Sequence, residues 1–110
     1  MKAKAMWAGA LVLILLGSYF VIALQHNASI GKTFNAIKQG TTREQTLGLM
    51  GRPSVERNSC RNAPTWLGQP VQSAQCVAEY QYDARLVPEF WTIGFDASGK
   101  AIAKYDYVSP

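Results

Sequence analysis

The sequence predicts an α+β protein: one N-terminal transmembrane helix, then two short helices packed on a three- to four-stranded antiparallel sheet. Three observations carry this. Ala5 to Leu24 holds no charged residue. Thr42 to Gly51 has the start and stop signals of a helix. From residue 76 onward the apolar residues alternate as in strands. The chain divides into residues 1–28, an anchor with its linker, and residues 29–110, one small folded domain. A domain of that size buries only a modest core and gains from a covalent staple.

At a rise of about 1.5 Å per residue, a helix over Ala5 to Leu24 is about 30 Å long, the thickness of a bilayer core. Lys2, Lys4 and the chain amine precede it, which places the N-terminus in the cytoplasm and the domain across the membrane. Trp7 and Tyr19 are the aromatic candidates for its interfaces. A cleaved signal peptide is the alternative. Its apolar region usually spans about 7–15 residues and ends in a small-x-small site. Here the nearest such site, Val21-Ile22-Ala23, lies inside the apolar stretch. Both readings export the domain.

Gln25 to Ser29 reads as a polar linker. Ile30, Phe34 and Ile37 then mark one face of a short helix, started by Asn27 or Ser29 and ended by Gly40. Thr42 begins the second helix, and Gln45 three residues on completes a capping box. Glu44 suits the positive end of that helix. Thr46, Leu49 and Met50 share its inner face, Gly51 stops it and Pro53 prevents its continuation.

Strands follow. Ser54 to Cys60 is a weak polar strand, and residues 61–75, with Pro64, Gly68 and Pro70, form a loop. Cys76 to Tyr82 places Cys76, Ala78, Tyr80 and Tyr82 on one face and Val77, Glu79 and Gln81 on the outer one. Phe90 to Phe95 turns Trp91, Ile93 and Phe95 inward. Asp96 to Gly99 is a hairpin loop with Gly at the positive-φ position. In the last strand, Lys100 to Val108, Ile102 argues for one inner face and Tyr105 and Tyr107 for the other.

Cys60 and Cys76 are the only cysteines, both in the exported part, and an oxidising compartment favours their pairing as a structural disulfide. A closed loop of about 15 residues stabilises by about 3 kcal/mol in the chain-entropy account. A thiol-redox role is the other reading of the pair.

The remaining side chains offer little chemistry. There is one histidine, His26, at the membrane edge, and no nucleophile with a visible base, so no catalytic residue, metal site or cofactor is expected. The basic residues are scattered without interleaved aromatics, which argues against nucleic acid despite a pI near 9.3. Protein binding is the remaining class. Its candidates are Trp66 and Leu67 in the long loop and Tyr80 and Tyr82 on the sheet. Which of the two surfaces makes contact is open, and Trp66 has the alternative of folding back over the core.

Gly40-Thr41-Thr42, Thr46 and Met50-Gly51-Arg52-Pro53 together resemble the G-x-T-x3-V-x3-L-G-x-P signature of the BamE/SmpA/OmlA family. Trp91-x-Ile93-x-Phe95-x3-Gly99-Lys100 is similar to that family's aromatic strand and Gly hairpin. The likeness covers roughly residues 30–108. It implies two helices on an antiparallel sheet and a part in bacterial envelope assembly through a protein partner. Thr46 and Met50 stand where Val and Leu are usual. The lipidated cysteine of that family is missing, so an uncleaved span implies the inner membrane instead of the outer one. The fold also resembles the repeat unit of β-lactamase-inhibitor proteins, which implies protein binding in general. The expected protein is therefore an inner-membrane, single-pass module with a periplasmic domain. A soluble periplasmic binder or inhibitor released by cleavage is the alternative.

Overall fold

A computed structural model describes residues 2–61 and 65–108. Pro64, read above as a turn residue of the long loop, lies outside them, as do Met1 and its amine. Helix α1 (Lys2–Ala36) is followed by α2 (Arg43–Met50) and six strands: β1 (Val55–Arg57), β2 (Thr65–Trp66), β3 (Gln69–Pro70), β4 (Ala78–Asp83), β5 (Glu89–Phe95) and β6 (Ala101–Val108). The strands form one sheet in the order β1-β4-β5-β6-β2-β3. The architecture is α+β with an N-terminal apolar helix, as expected, and two features differ from the expectation.

The first is helix continuity. The expected linker Gln25–Ser29 is helical, so the boundary at 28/29 falls inside α1 and no separate short helix begins at Ile30. The physical reason is a single face that runs through both parts. Ala23, Ile30, Phe34 and Ile37 are all buried, and Asn27 lies between them at helical spacing. Polar residues on the other faces meet water without breaking the backbone bonds. Large apolar residues from Met6 to Leu24 stay exposed, from 42% at Leu24 to 75% at Met6. This segment is long and apolar enough to cross a membrane.

The second is the sheet, which is mixed and wider than a meander. β1, β4, β5 and β6 are antiparallel neighbours. The expected loop 61–75 contains a small hairpin, β2–β3, that joins the far edge with β2 parallel to β6. Chain neighbours β1 and β2 therefore stand on opposite sides of the central strands. The return path after a single 3-10 turn at Ser73–Gln75 brings Cys76 back beside β4. The Cys60–Cys76 disulfide closes this excursion, with Cα atoms 5.8 Å apart.

α2 forms as its local signals dictate. Thr42 accepts a bond from the Gln45 N–H at 3.1 Å, and Gln45 Oε1 accepts one from the Thr42 N–H at 3.0 Å. Gly51 ends the helix at φ +80°. Thr46 and Met50 are buried, but Leu49, expected on the same face, is 50% exposed. The core lies between α1, α2 and the inner face of the sheet: Phe34, Ile37, Tyr80, Tyr82, Trp91, Ile93 and Phe95. Tyr80 meets Phe95 edge-on with ring centres 4.8 Å apart.

β6 resolves its ambiguous faces with an irregularity. Phe95 pairs with Ala101 and Gly94 with Ala103, so Ile102 is an extra residue in the ladder. The phase shift puts Ala101 and Lys104 inward and Tyr105 and Tyr107 outward. Neither simple alternation holds.

Candidate functional site

The residues singled out by sequence fall into three places. Tyr80 and Tyr82 are core residues, 6% and 2% exposed, facing the helices. The Tyr82 hydroxyl donates to the Gly51 carbonyl at 2.9 Å. Burial is the main cause holding both phenols above their ordinary pKa. As candidate binding residues they are therefore placed in the core, where Tyr82 ties the end of α2 to the sheet.

Trp66 and Leu67 sit at the far edge. Trp66 is half-buried and packs against the core. Its position follows from Lys104, whose ammonium lies 5.6 Å from the Trp66 ring and 4.7 Å from that of Phe34. Lys104 is only 3% exposed, and its Nζ donates to the Ile37 carbonyl at 2.9 Å. α1 has no basic residue in its last turn, so the sheet supplies the cation that its C-terminal end favours. Burial holds the Lys104 ammonium below the usual lysine pKa. Leu67, next in the chain, is 63% exposed at φ +49° in the turn of the β2–β3 hairpin. The loop thus divides: Trp66 packs, and Leu67 is presented.

Cys60 and Cys76 form the expected disulfide. Their sulfurs lie over Gly94 of β5, on the face away from the helices. A Cβ at Gly94 would stand 2.5 Å from the Cys76 sulfur and 2.9 Å from Ala103 Cβ. This corrects the placement of Cys76 on the inner face with Ala78. It also explains a further departure. Glu79, expected as an outward, solvated charge, is 2% exposed because the returning chain covers this face. Arg57 answers it at 2.8 Å and bonds Gln81 Oε1 at 2.7 Å.

Sequence reasoning missed the end of the domain nearest the apolar part of α1. Here a cleft of about 400 Å³ is lined by His26, Met50, Arg52, Ser54, Tyr82 and Arg85, among others. Asn27 fixes its wall to α1: its side-chain amide donates to the Arg85 carbonyl and accepts from the Arg85 N–H, both at 2.7 Å. Burial and the Arg85 charge both hold His26 below its ordinary pKa. Asp83 is the acid in the lining. Opposite charges beside a single imidazole suit binding of polar groups. Among the described residues no three His, Cys, Asp or Glu side chains are grouped to hold a metal ion. Asn27 offered one sequence signal, as a polar residue on the otherwise apolar buried face of α1. Compared with known proteins, the chain matches no family model, no curated protein and no solved structure.

Proposed function

We propose that this chain is a single-pass structural or protein-interaction module of the bacterial cell envelope. α1 holds it in the inner membrane, and its disulfide-stapled domain stands in the periplasm. The observation that carries the reading is one continuous helix whose first part is apolar and exposed while its last part is core. The flanking Lys2 and Lys4 favour the N-terminus inside. The disulfide fits an oxidising compartment on the other side. The exposed Leu67 turn is the surface assigned to a protein partner. The BamE-like order of signals makes envelope assembly the process to examine first.

A cleaved, soluble form is the second reading. It is less well supported because Ala23, the last residue of the nearest cleavage site, is buried within a helix that continues to Ala36. Intact mass measured from isolated membranes separates the two. The anchored reading expects the mass of the uncleaved chain; a mature start near Gln25 overturns it. A photocrosslinking residue at Leu67 in intact cells is expected to give one discrete protein adduct. Adducts to lipid alone would remove the interaction role.

A further inference from the structure

We infer that the loop Ala84–Pro88 seats the domain on the surface of the membrane that α1 crosses. The inference rests on α1 being a membrane span. Asn27 is three residues beyond Leu24, the last residue of the apolar stretch, so it stands about 4.5 Å past that end along the helix. Its two bonds to the Arg85 backbone hold the loop at that height. The headgroup layer on each side of a bilayer is about 5–8 Å thick, so this height lies within it. Ala23, one turn nearer the membrane on the same helix face, is only 1% exposed. The folded domain therefore overlaps the last turn of the apolar stretch instead of standing clear of it.

The loop has the composition for such a place. Leu86 is 53% exposed and Val87 42% exposed. Leu86 adopts φ +67°, a conformation that favours Gly or Asn, so the chain presents an apolar side chain there at a backbone cost. Beside them Phe90 and Tyr107 stack with ring centres 4.8 Å apart, half-buried, as interfacial aromatics do. Val108, paired with Glu89, is 62% exposed at the same end. The charges around this rim are Arg52 and Arg85 against Asp83, Glu89 and Asp106, with His26. They are mixed in sign and make no demand for anionic lipid. Apolar insertion, not headgroup charge, is the inferred contact.

The test uses the full chain in phosphatidylcholine nanodiscs containing lipid with a doxyl quencher at carbon 5 or, for position 15 near the bilayer centre, at carbon 12. A bimane fluorophore is placed singly through Leu86→Cys, Leu15→Cys or Ala97→Cys, with mass confirming that Cys60 and Cys76 remain paired. Ala97 lies in the hairpin at the opposite end of β5 and β6. Loss of fluorescence at positions 86 and 15, with none at 97, is the expected result. Loss at 15 with position 86 open to aqueous iodide overturns the seating and leaves the span standing. Position 86 shielded from both quenchers overturns it in favour of a protein contact. No loss at 15 overturns the span and the seating together.

Discussion

Gly94→Ala probes the packing of the disulfide against the sheet. Gly94 has no positive φ, so its backbone accepts alanine. On an ordinary backbone, Gly→Ala stabilises by about 0.4–1 kcal/mol through the unfolded chain. The structure reverses that sign. The new methyl meets the Cys76 sulfur at 2.5 Å and Ala103 Cβ at 2.9 Å. One atom is held in a disulfide and the other is attached directly to a paired strand, so neither can swing away. Overpacking of this kind costs about 1–3 kcal/mol. A loss of 2 kcal/mol, at a urea slope of about 1–2 kcal/mol per molar, lowers the midpoint by about 1–2 M. Urea unfolding of the full chain in detergent micelles, followed by tryptophan fluorescence, reads this shift. The second leg places Gly94→Ala in Cys60→Ala/Cys76→Ala. Removing the disulfide itself costs about 3 kcal/mol. Of the three nearest atoms only Ala103 Cβ then remains, and the cost is expected to fall by at least about 1 kcal/mol, within the range of coupling between touching residues. A neutral or stabilising Gly94→Ala, or an equal cost with and without the cysteines, would refute the placement of the sulfurs.

Lys104 gives a pH prediction. Its folded pKa is depressed below 10.5 by burial, so between those two values the unfolded chain binds more protons and stability rises with pH. Tyr80 and Tyr82, whose pKa values are raised, act oppositely only above about pH 10, where the unfolded phenols ionise first. Urea midpoints are expected to rise in the parent protein relative to Lys104→Met as the pH approaches about 10, just below the unfolded lysine pKa; profiles that stay parallel up to that pH would argue against the buried ammonium. Asn27→Ala deletes both bonds to Arg85 at a cost of about 1–2 kcal/mol in local opening. Hydrogen exchange at the Arg85 amide is expected to quicken about tenfold, since about 1.4 kcal/mol is a factor of ten, and an unchanged rate would show that the loop is held by other contacts.

Which features the sequence revealed depends on how local their causes are. α2 was legible because Thr42, Gln45, Gly51 and Pro53 all act within one or two turns. β5 was legible because Trp91, Ile93 and Phe95 alternate on a strand whose one face is buried against the helices. The continuity of α1 had a readable signal that polarity masked. No Gly or Pro interrupts Ser18 to Ile30, and the buried spacing runs from Ala23 to Ile37. Lys104 was illegible for a different reason. Its inward position exists only because Ile102 is skipped in the pairing with β5, a register choice made between strands. The pairing of β2 with β6 is likewise non-local, so the sequence left both packing and contact open for Trp66. Glu79 misled because alternation predicts a face, whereas the cover on that face depends on a disulfide that brings in Cys60 from a remote part of the chain.

The continuity of α1 also sets what the domain can reach. A flexible linker at Gln25–Ser29 would let a periplasmic domain explore a volume around its anchor. A helix through those residues removes that freedom, and the Asn27–Arg85 bonds add a second tie close to the same level. From Asn27 to Ile37, the part of α1 and its end that packs on the sheet extends about 15 Å. Under the proposed reading, Leu67 is then held near the bilayer and cannot search for a distant surface. On that reading a partner must itself come to the inner membrane, and it meets Leu67 in one orientation. Pre-ordering of this kind lowers the entropic cost of association for a small contact. That suits a module whose proposed contact is a single exposed leucine in a tight turn. Inserting a Gly-Ser linker between Leu24 and Gln25 would restore the freedom without touching the core residues Ile30, Phe34 and Ile37. The discrete adduct at Leu67 should then weaken while the domain stays folded, which would distinguish an oriented contact from simple tethering.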